Sequence, residues 1–345
     1  MGPTMAAHAP EGVVQRRAAW MRSWFVFGRR GGADVENLAL WKRALAEFSA
    51  VFLLASIGLM TVATAITAGA YGLFELSIAF GFAITVMVVV CGAVSGAHFN
   101  PAITIMLASF RRFSWRDVPV YIAAQISGGV VGALVLYFFF SGPIRAFEAA
   151  SNITRGQPNS SLSGMIFACY SPNPAIAAAQ KWPLSIVNTP TAVLAEAFAT
   201  FILAIVVFAA VDTRNSFAPN LPLFALFIGF IIAFIIMVEA PLTMACINPA
   251  RDLGPRIAIT MLGWGAAAFP GVGRPWWVWT VGPILGALAG GAAWSFIFGK
   301  FLTPRPVDLE AAGVQADRLE SPTPGGDPHL HGSDEGEDGD RAPRH

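Results

Sequence analysis

Six apolar stretches, each about 20 residues long, dominate the sequence. An α-helix needs about 20 apolar residues to cross the hydrocarbon layer of a bilayer. The chain is 55% hydrophobic and only 12% charged, whereas soluble domains carry about a quarter charged residues. The sequence therefore predicts an all-α membrane protein with six transmembrane helices. The stretches lie at about 44–66, 75–95, 118–140, 191–211, 221–240 and 276–299.

Two further apolar stretches, at about 100–110 and 248–262, are too short to span the membrane. They must either re-enter the membrane from one side or lie on its surface. Their place in the sequence repeat described below favours two re-entrant half-helices.

Lys and Arg residues predict which way the spans face, because short cytoplasmic connections are rich in them. The connection after the first span, around AGAYG, has none, and the long connection at 141–189 has few. Both termini are therefore expected in the cytoplasm, with the chain crossing the cell membrane several times. The positive residues on the predicted cytoplasmic side are Lys42, Arg43, Arg111, Arg112, Arg116, Arg214, Lys300 and Arg305.

The two ends of the chain differ from its middle. Residues 1–42 contain several arginines but no apolar run before a cleavage site, which argues against a secretory signal. Residues 303–345 are rich in Pro, Gly and acids, a composition that does not form a packed core. Both ends are predicted to be largely disordered and cytoplasmic. In the tail, His329 and His331 with nearby acids are a possible metal site, but a solvated tail is the favoured reading.

Composition also excludes several function classes. A formal net charge of +1 gives no reason to expect a nucleic-acid partner. The cysteines, Cys91, Cys169 and Cys246, are too few and scattered for a disulfide framework or metal cluster, so three ordinary thiols are expected. No metal or other cofactor is expected. No Ser/His, Asp/Asp or HExxH arrangement predicts catalysis, so the chain is not expected to be an enzyme.

The sequence repeats itself. The segment LAEFSAVFLLAS in the first span is similar to LAEAFATFILAI in the fourth. Their acids, Glu47 and Glu196, are separated by 149 residues. An Asn-Pro-Ala (NPA) motif begins at Asn100 and again at Asn248, 148 residues apart. Three spans per unit is an odd number, so the second copy must be inverted in the membrane. The predicted channel domain, 43–302, thus contains repeat one (about 43–140), an outer connection (141–189) and repeat two (about 190–300). The third and sixth spans share glycines at Gly128, Gly132, Gly282 and Gly286, which are expected to permit close helix packing.

Each NPA motif predicts the start of a half-helix. Asn is a favoured helix cap, and Pro suits the first helical position. The motifs are Asn100-Pro101-Ala102 and Asn248-Pro249-Ala250. Inversion brings the two helix N-termini together near the bilayer centre, where each carries about half a positive charge. Such a site repels cations and protons, and the Asn amides are expected to donate to a passing hydroxyl. A third NPA, at Asn173, has no symmetric partner and is interpreted as coincidence.

SGAHFNPAIT and PLTMACINPARDLGPR resemble the aquaporin and glycerol-facilitator family. The resemblance covers about 43–300. It implies six tilted helices with two half-helices, a pore in each subunit, and a homotetramer. It also implies that Glu47 and Glu196 hold the non-helical arms before each NPA through backbone N–H groups. A proton relay is the alternative role for these acids. The arm residues implied to line the pore are Gly96, Ala97, His98, Phe99, Met244, Cys246 and Ile247.

The resemblance places the narrowest ring of the pore at Phe80, Ile236, Ala245 and Arg251. Water-selective relatives usually have His at the position of Ile236, so this ring is wider and more apolar opposite Arg251. Asp252 and Arg256 resemble glycerol facilitators, whereas Trp279-Thr280 departs from their pattern.

The function predicted is a passive channel for glycerol together with water, excluding ions and protons. A water-selective channel, or one for urea or a neutral metalloid acid, is the alternative. An ion-coupled secondary transporter is a remote alternative, because no Asp or Lys joins Glu47 and Glu196 at the midplane.

Overall fold

A computed structural model describes Val35 and residues 38–212, 214–217, 221–271 and 273–302, apart from the side chains of Leu221 and Pro222. The predicted acidic tail and nearly all of the predicted N-terminal segment lie outside the described residues. Among the described residues, six helices are long and apolar enough to cross a membrane, as predicted.

The helices, in chain order, are α1 (Leu40–Ala68), α2 (Leu73–Ser95), α3 (Pro101–Ser109), α4 (Val118–Ala150), α5 (Pro174–Gln180), α6 (Thr189–Val211), α7 (Leu221–Thr243), α8 (Pro249–Ile259) and α9 (Val278–Phe296). Helix α1 contains one π-helical turn, Leu54–Gly58, and a second such turn, Thr260–Trp264, follows α8. The short α3 and α8 are the two half-helices, and the other helices except α5 are the spans.

Helix α4 is longer than the predicted third span, which was expected to end near residue 140. It continues to Ala150, and its 33 residues correspond to about 50 Å of helix, well beyond the roughly 30 Å hydrocarbon layer. The extension is held at its far end, where Arg155 forms an ion pair with Glu148 (N–O 3.0 Å) and donates to the Tyr137 hydroxyl. The outer connection therefore begins at Ser151 rather than at residue 141.

The packing follows the inverted repeat. Helix α1 packs along α4, and α6 packs along α9 in the same way. Helices α2 and α7, the second spans of the two repeats, pack against each other. Each half-helix crosses to the other repeat: α8 packs on α4, and α3 packs on α9. The two repeats therefore share one core.

Two ion pairs lie at the end of the helix bundle where both described ends of the chain are found. Arg43 pairs with Asp117 (2.9 Å), which joins the starts of α1 and α4. Arg214 pairs with Asp212 (2.7 Å), and Trp294 of α9 donates to the same carboxylate. Burial alone would raise the pKa of Asp212, but the hydrogen bonds and charge of Arg214 hold it below its usual value.

The glycines predicted to permit close packing lie at helix crossings. A Cβ placed on Gly132 would be 2.6 Å from the Phe52 carbonyl oxygen and 2.9 Å from the Ala55 Cβ. In the other repeat, a Cβ on Gly282 would be 2.7 Å from the Glu196 Cβ. These contacts involve backbone or the base of a side chain, so little can move to relieve them.

Replacing Gly132 by Ala should therefore destabilise the protein, because the added methyl forces α1 and α4 apart. We expect a cost of about 1–3 kcal/mol, seen as a lower thermal unfolding temperature in detergent. Gly142→Ala is the matched control, since nothing lies within 4 Å of a Cβ at this position on the same helix. Equal unfolding temperatures for the two variants would contradict the close crossing.

Candidate functional site

The two half-helices begin as the NPA motifs predict. The Asn100 side chain caps α3 by accepting a hydrogen bond from the Ala102 amide (2.9 Å). Asn248 caps α8 in the same way and accepts from the amides of Ala250 (3.0 Å) and Arg251 (3.3 Å). In both helices Pro follows the cap, where its missing N–H leaves no carbonyl unpaired.

The two helix N-termini meet. The Asn100 side-chain amide donates to the Ile247 carbonyl (2.8 Å), and the Asn248 amide donates to the Phe99 carbonyl (2.8 Å). Each asparagine is thus bound to the residue that precedes the other one. An amide group has two N–H bonds, so each asparagine keeps one further hydrogen for another acceptor.

The arms before the two motifs have an unusual backbone. Ala97 and Phe99 in the first arm, and Ala245 and Ile247 in the second, all have φ between 50° and 59°. Residues with a Cβ rarely adopt this left-handed conformation, and it persists only where the surrounding structure enforces it. Gly96 and Met244, which come just before these residues, also have positive φ. Because the left-handed residues fall at matching positions in the two arms, both arms follow one irregular path. Sequence analysis did not predict this strain.

Two buried glutamates hold the arms. Glu47 accepts from the backbone amides of His98 (3.2 Å) and Phe99 (2.7 Å). Glu196 accepts from the backbone amides of Cys246 (2.9 Å) and Ile247 (2.8 Å). These are the backbone contacts that the family resemblance implied, and the two sets are related by the repeat.

The four predicted ring residues surround the junction of two cavities. Phe80, Ala245 and Arg251 line both cavities, whereas Ile236 lines the outer one. The predicted arm residues also line these cavities. Met244 lines the outer cavity. The others line the inner cavity and are Gly96, Ala97, His98, Phe99, Cys246 and Ile247. The ring residues therefore lie where the two cavities approach each other.

Arg251 lies within the ring and is held by the outer connection. Its Nη1 donates to the Phe167 carbonyl (3.0 Å), and its guanidinium carbon lies 6.0 Å from the Phe80 ring centroid. Pairing with Asp252 was the structural alternative for this residue. Asp252 instead pairs with Arg256 (2.5 Å) and accepts from the Cys169 amide (2.8 Å). Arg251 is thus the polar member of the ring, and Phe80, Ile236 and Ala245 are its apolar members.

Arg256 anchors the outer end of α8. It donates to the carbonyls of Ala268 (2.5 Å) and Cys169, and it lies 4.8 Å from the Trp279 ring. Trp279 is the residue that departs from the facilitator pattern. Its indole N–H donates to the Thr243 carbonyl (3.0 Å), so this side chain ties α9 to the end of α7.

His98 and two of the cysteines lie close to other site residues. The His98 ring is buried against Phe113 and Tyr121 and lies 3.2 Å from the Thr104 hydroxyl, and the residue borders the inner cavity. Cys91, Cys169 and Cys246 are buried free thiols. Ligand atoms of Cys169, Cys246 and Asp252 lie within 4.8 Å of one another, because the outer connection folds down onto the second arm.

Several residues at the site were missed by sequence analysis. Gln125 donates to Glu47 (2.6 Å) and to Thr104 (3.0 Å). Glu239, another acid within a span, shares the Thr243 hydroxyl with Glu196. The signal for Glu239 was visible, because an acid inside an apolar span of predicted length is unusual.

The third NPA motif also begins a helix, although a short one. Asn173 caps α5 by accepting from the Ala175 amide, and its side chain donates to the Ala240 carbonyl of α7 (3.2 Å). Asn173 lines the outer cavity. The motif is therefore a structural cap in the outer connection and not part of the central pair.

Six spans and two opposed half-helices, with two cavities that share Phe80, Ala245 and Arg251 in their linings, are the architecture of a membrane channel. The model of the major intrinsic protein family matches residues 34–294. A glycerol uptake facilitator protein of Pseudomonas aeruginosa is 37% identical over 284 residues, which is 81% of this chain and 97% of the relative. The propanediol uptake facilitator PduF of Citrobacter freundii is 37% identical over 271 residues, 77% of this chain and 95% of the relative.

Among solved structures, the aquaglyceroporin from Plasmodium falciparum is similar with a TM-score of 0.64 and 25% sequence identity. The match covers 75% of this chain and 97% of that one. The chain belongs to the major intrinsic protein family.

The buried Arg256–Asp252 pair provides a stability test for the site. Replacing Arg256 by Met leaves a buried carboxylate without its cation, which we expect to cost about 3–5 kcal/mol. The double variant Arg256→Met with Asp252→Asn should recover part of this loss, because the uncompensated charge is gone. Thermal unfolding in detergent measures both. A single variant as stable as wild type would contradict the pairing.

Proposed function

We propose that this chain forms a passive channel that conducts glycerol together with water and excludes ions and protons. The observation that carries the proposal is the asymmetry of the ring between the two cavities. Arg251 supplies hydrogen-bond donors on one edge, and the rest of the ring is apolar. Glycerol has hydroxyls that fit the first edge and a carbon chain that fits the second. The names of the relatives, a glycerol and a propanediol uptake facilitator, agree with this solute class.

The roles of the site residues follow from their contacts. Arg251 donates to solute hydroxyls and repels cations. Asn100 and Asn248 donate their remaining amide hydrogens to the solute as it passes between the helix N-termini. Carbonyl groups of the two arms accept from the solute along the way. Glu47 and Glu196 are proposed to support the arms and not to relay protons, since their oxygens already accept from backbone amides.

Exclusion of charge has two physical sources. Each half-helix N-terminus carries about half a positive charge, and Arg251 adds a full one that is buried beside the passage. A water held by both asparagines accepts two hydrogen bonds and turns its own hydrogens outward. Such a water cannot pass a proton to its neighbour along the file.

The assembly and location are proposed from family likeness and surface chemistry. Many large apolar side chains of the spans are exposed, among them Phe138, Leu194, Phe198 and Phe234. Exposed apolar faces of this kind suit lipid tails and neighbouring subunits. We propose a homotetramer in the cell membrane with both termini in the cytoplasm. The protein acts as a conduit and has no catalytic role.

The test is stopped-flow light scattering on proteoliposomes that contain the full chain. Wild type should show glycerol-driven reswelling well above the lipid background. Replacing Ile236 by His should lower glycerol permeability by about tenfold and affect water much less, because His adds a polar group to the apolar wall. Ile236→Val is the matched control and should keep both fluxes.

Two outcomes would contradict the proposal. Water flux without glycerol flux in wild type would indicate a water-selective channel. Glycerol uptake that depends on a proton or sodium gradient would indicate a coupled transporter.

A further inference from the structure

Glu239 is a buried acid that the channel mechanism above does not use. It lies on α7, three residues after the ring residue Ile236, and 8% of its surface is exposed. Its Oε1 is hydrogen-bonded to the Thr243 hydroxyl, and that hydroxyl also lies 2.6 Å from Oε1 of Glu196. Thr243 and Glu196 are fully buried. The two carboxyl groups therefore share one hydroxyl inside the protein.

The Thr243 hydroxyl has too few hydrogens for two ionised carboxylates. The Thr243 hydroxyl has a single hydrogen and can donate to one acceptor. If both acids were ionised, the second carboxylate would face the hydroxyl oxygen with no hydrogen between them. A proton on one carboxyl removes this repulsion, because that group then donates to Thr243 and Thr243 donates to the other.

The surroundings decide which acid holds the proton. Glu196 accepts three hydrogen bonds, from the amides of Cys246 and Ile247 and from Thr243. Three donors favour an ionised carboxylate. Glu239 has two contacts, with the Thr243 hydroxyl and with the Ala245 backbone, whereas its Oε2 has no hydrogen-bond partner among the described residues. An ionised Glu239 would leave part of its charge unpaired in a buried place, which is costly.

Comparison of the repeats shows why this third donor matters. In repeat one, Glu47 accepts from two arm amides and from the Gln125 side chain. In repeat two, the residue that corresponds to Gln125 at the spacing of the shared glycines is Trp279, and its N–H is bound to the Thr243 carbonyl. The third donor to Glu196 is therefore Thr243.

We propose that Glu239 is a neutral carboxylic acid and a positioning residue for the selectivity ring. Its hydroxyl donates to Thr243, which keeps the Thr243 hydrogen directed at Glu196. Glu196 in turn fixes the second arm, where Ala245 forms part of the ring. The proposal deepens the proposed channel function and rests on it for the identity of the solute.

Flux measurements with paired variants test the positioning role. Glu239→Gln is neutral, keeps a donor, and should retain the wild-type ratio of glycerol to water permeability. Glu239→Leu removes the donor and should change this ratio by at least about threefold. Thr243→Ser and Thr243→Val form a second pair with smaller changes of shape. Thr243→Ser keeps the hydroxyl and should retain the wild-type permeability ratio, whereas Thr243→Val removes the hydroxyl and should change that ratio. Val238→Ala, at an exposed neighbouring position, is the control.

Infrared spectroscopy tests the protonation state without reference to any solute. Wild type in neutral buffer should show the carbonyl band of a protonated carboxylic acid, and Glu239→Gln should lack it. The proposal is overturned if that band is absent from wild type, or if Glu239→Gln shifts the permeability ratio as far as Glu239→Leu. If wild type shows the band but neither wild type nor any variant conducts glycerol, glycerol is the wrong solute. The assignment of the proton to Glu239 then still stands.

Discussion

Backbone polar groups cannot stay unpaired at the centre of a bilayer, and the whole structure depends on how two non-helical arms meet this requirement. Glu47 and Glu196 accept from the last amides of each arm, and Asn100 and Asn248 bind the carbonyl at the end of the opposite arm. These contacts interlock the two repeats at one point. Left-handed residues such as Phe99 and Ile247 are tolerated because both sides of the peptide are held in this way.

The contacts between the two arms also position the polar groups of the channel. Two half-helices that start at the same point direct their positive ends toward one passage, and the first turn of α8 brings Arg251 to the ring. The outer connection completes the arrangement, since the Phe167 carbonyl orients Arg251 and the Cys169 amide orients Asp252. The proposed selectivity ring therefore depends on segments that are distant in sequence but are tied to the two arms.

Much of this arrangement could be predicted from the sequence, because it follows from length and symmetry. The apolar runs define the spans, and the paired motifs at Asn100 and Asn248 define the half-helices. The ring residues follow from spacing within the family resemblance. The extension of α4 to Ala150 could not be predicted, because it leaves the membrane and depends on the Arg155–Glu148 pair.

The missed contacts share a physical cause. Cys169 and Cys246 are far apart in sequence, and no periodicity reports that the outer connection folds onto the second arm. Gln125 and Thr243 are polar residues inside spans whose partners are set by tertiary packing. Glu239 was visible as an acid in an apolar run, but its partner could not be read from spacing alone.

Proton exclusion under glycerol-conducting conditions tests the opposed asparagine-capped helices most directly. Proteoliposomes that contain the full chain and a pH-sensitive dye are exposed to an inward proton gradient, and glycerol flux is recorded on the same preparation. The account predicts glycerol flux above the lipid background with a proton leak equal to that of empty vesicles. A proton current that rises with the amount of protein would contradict it.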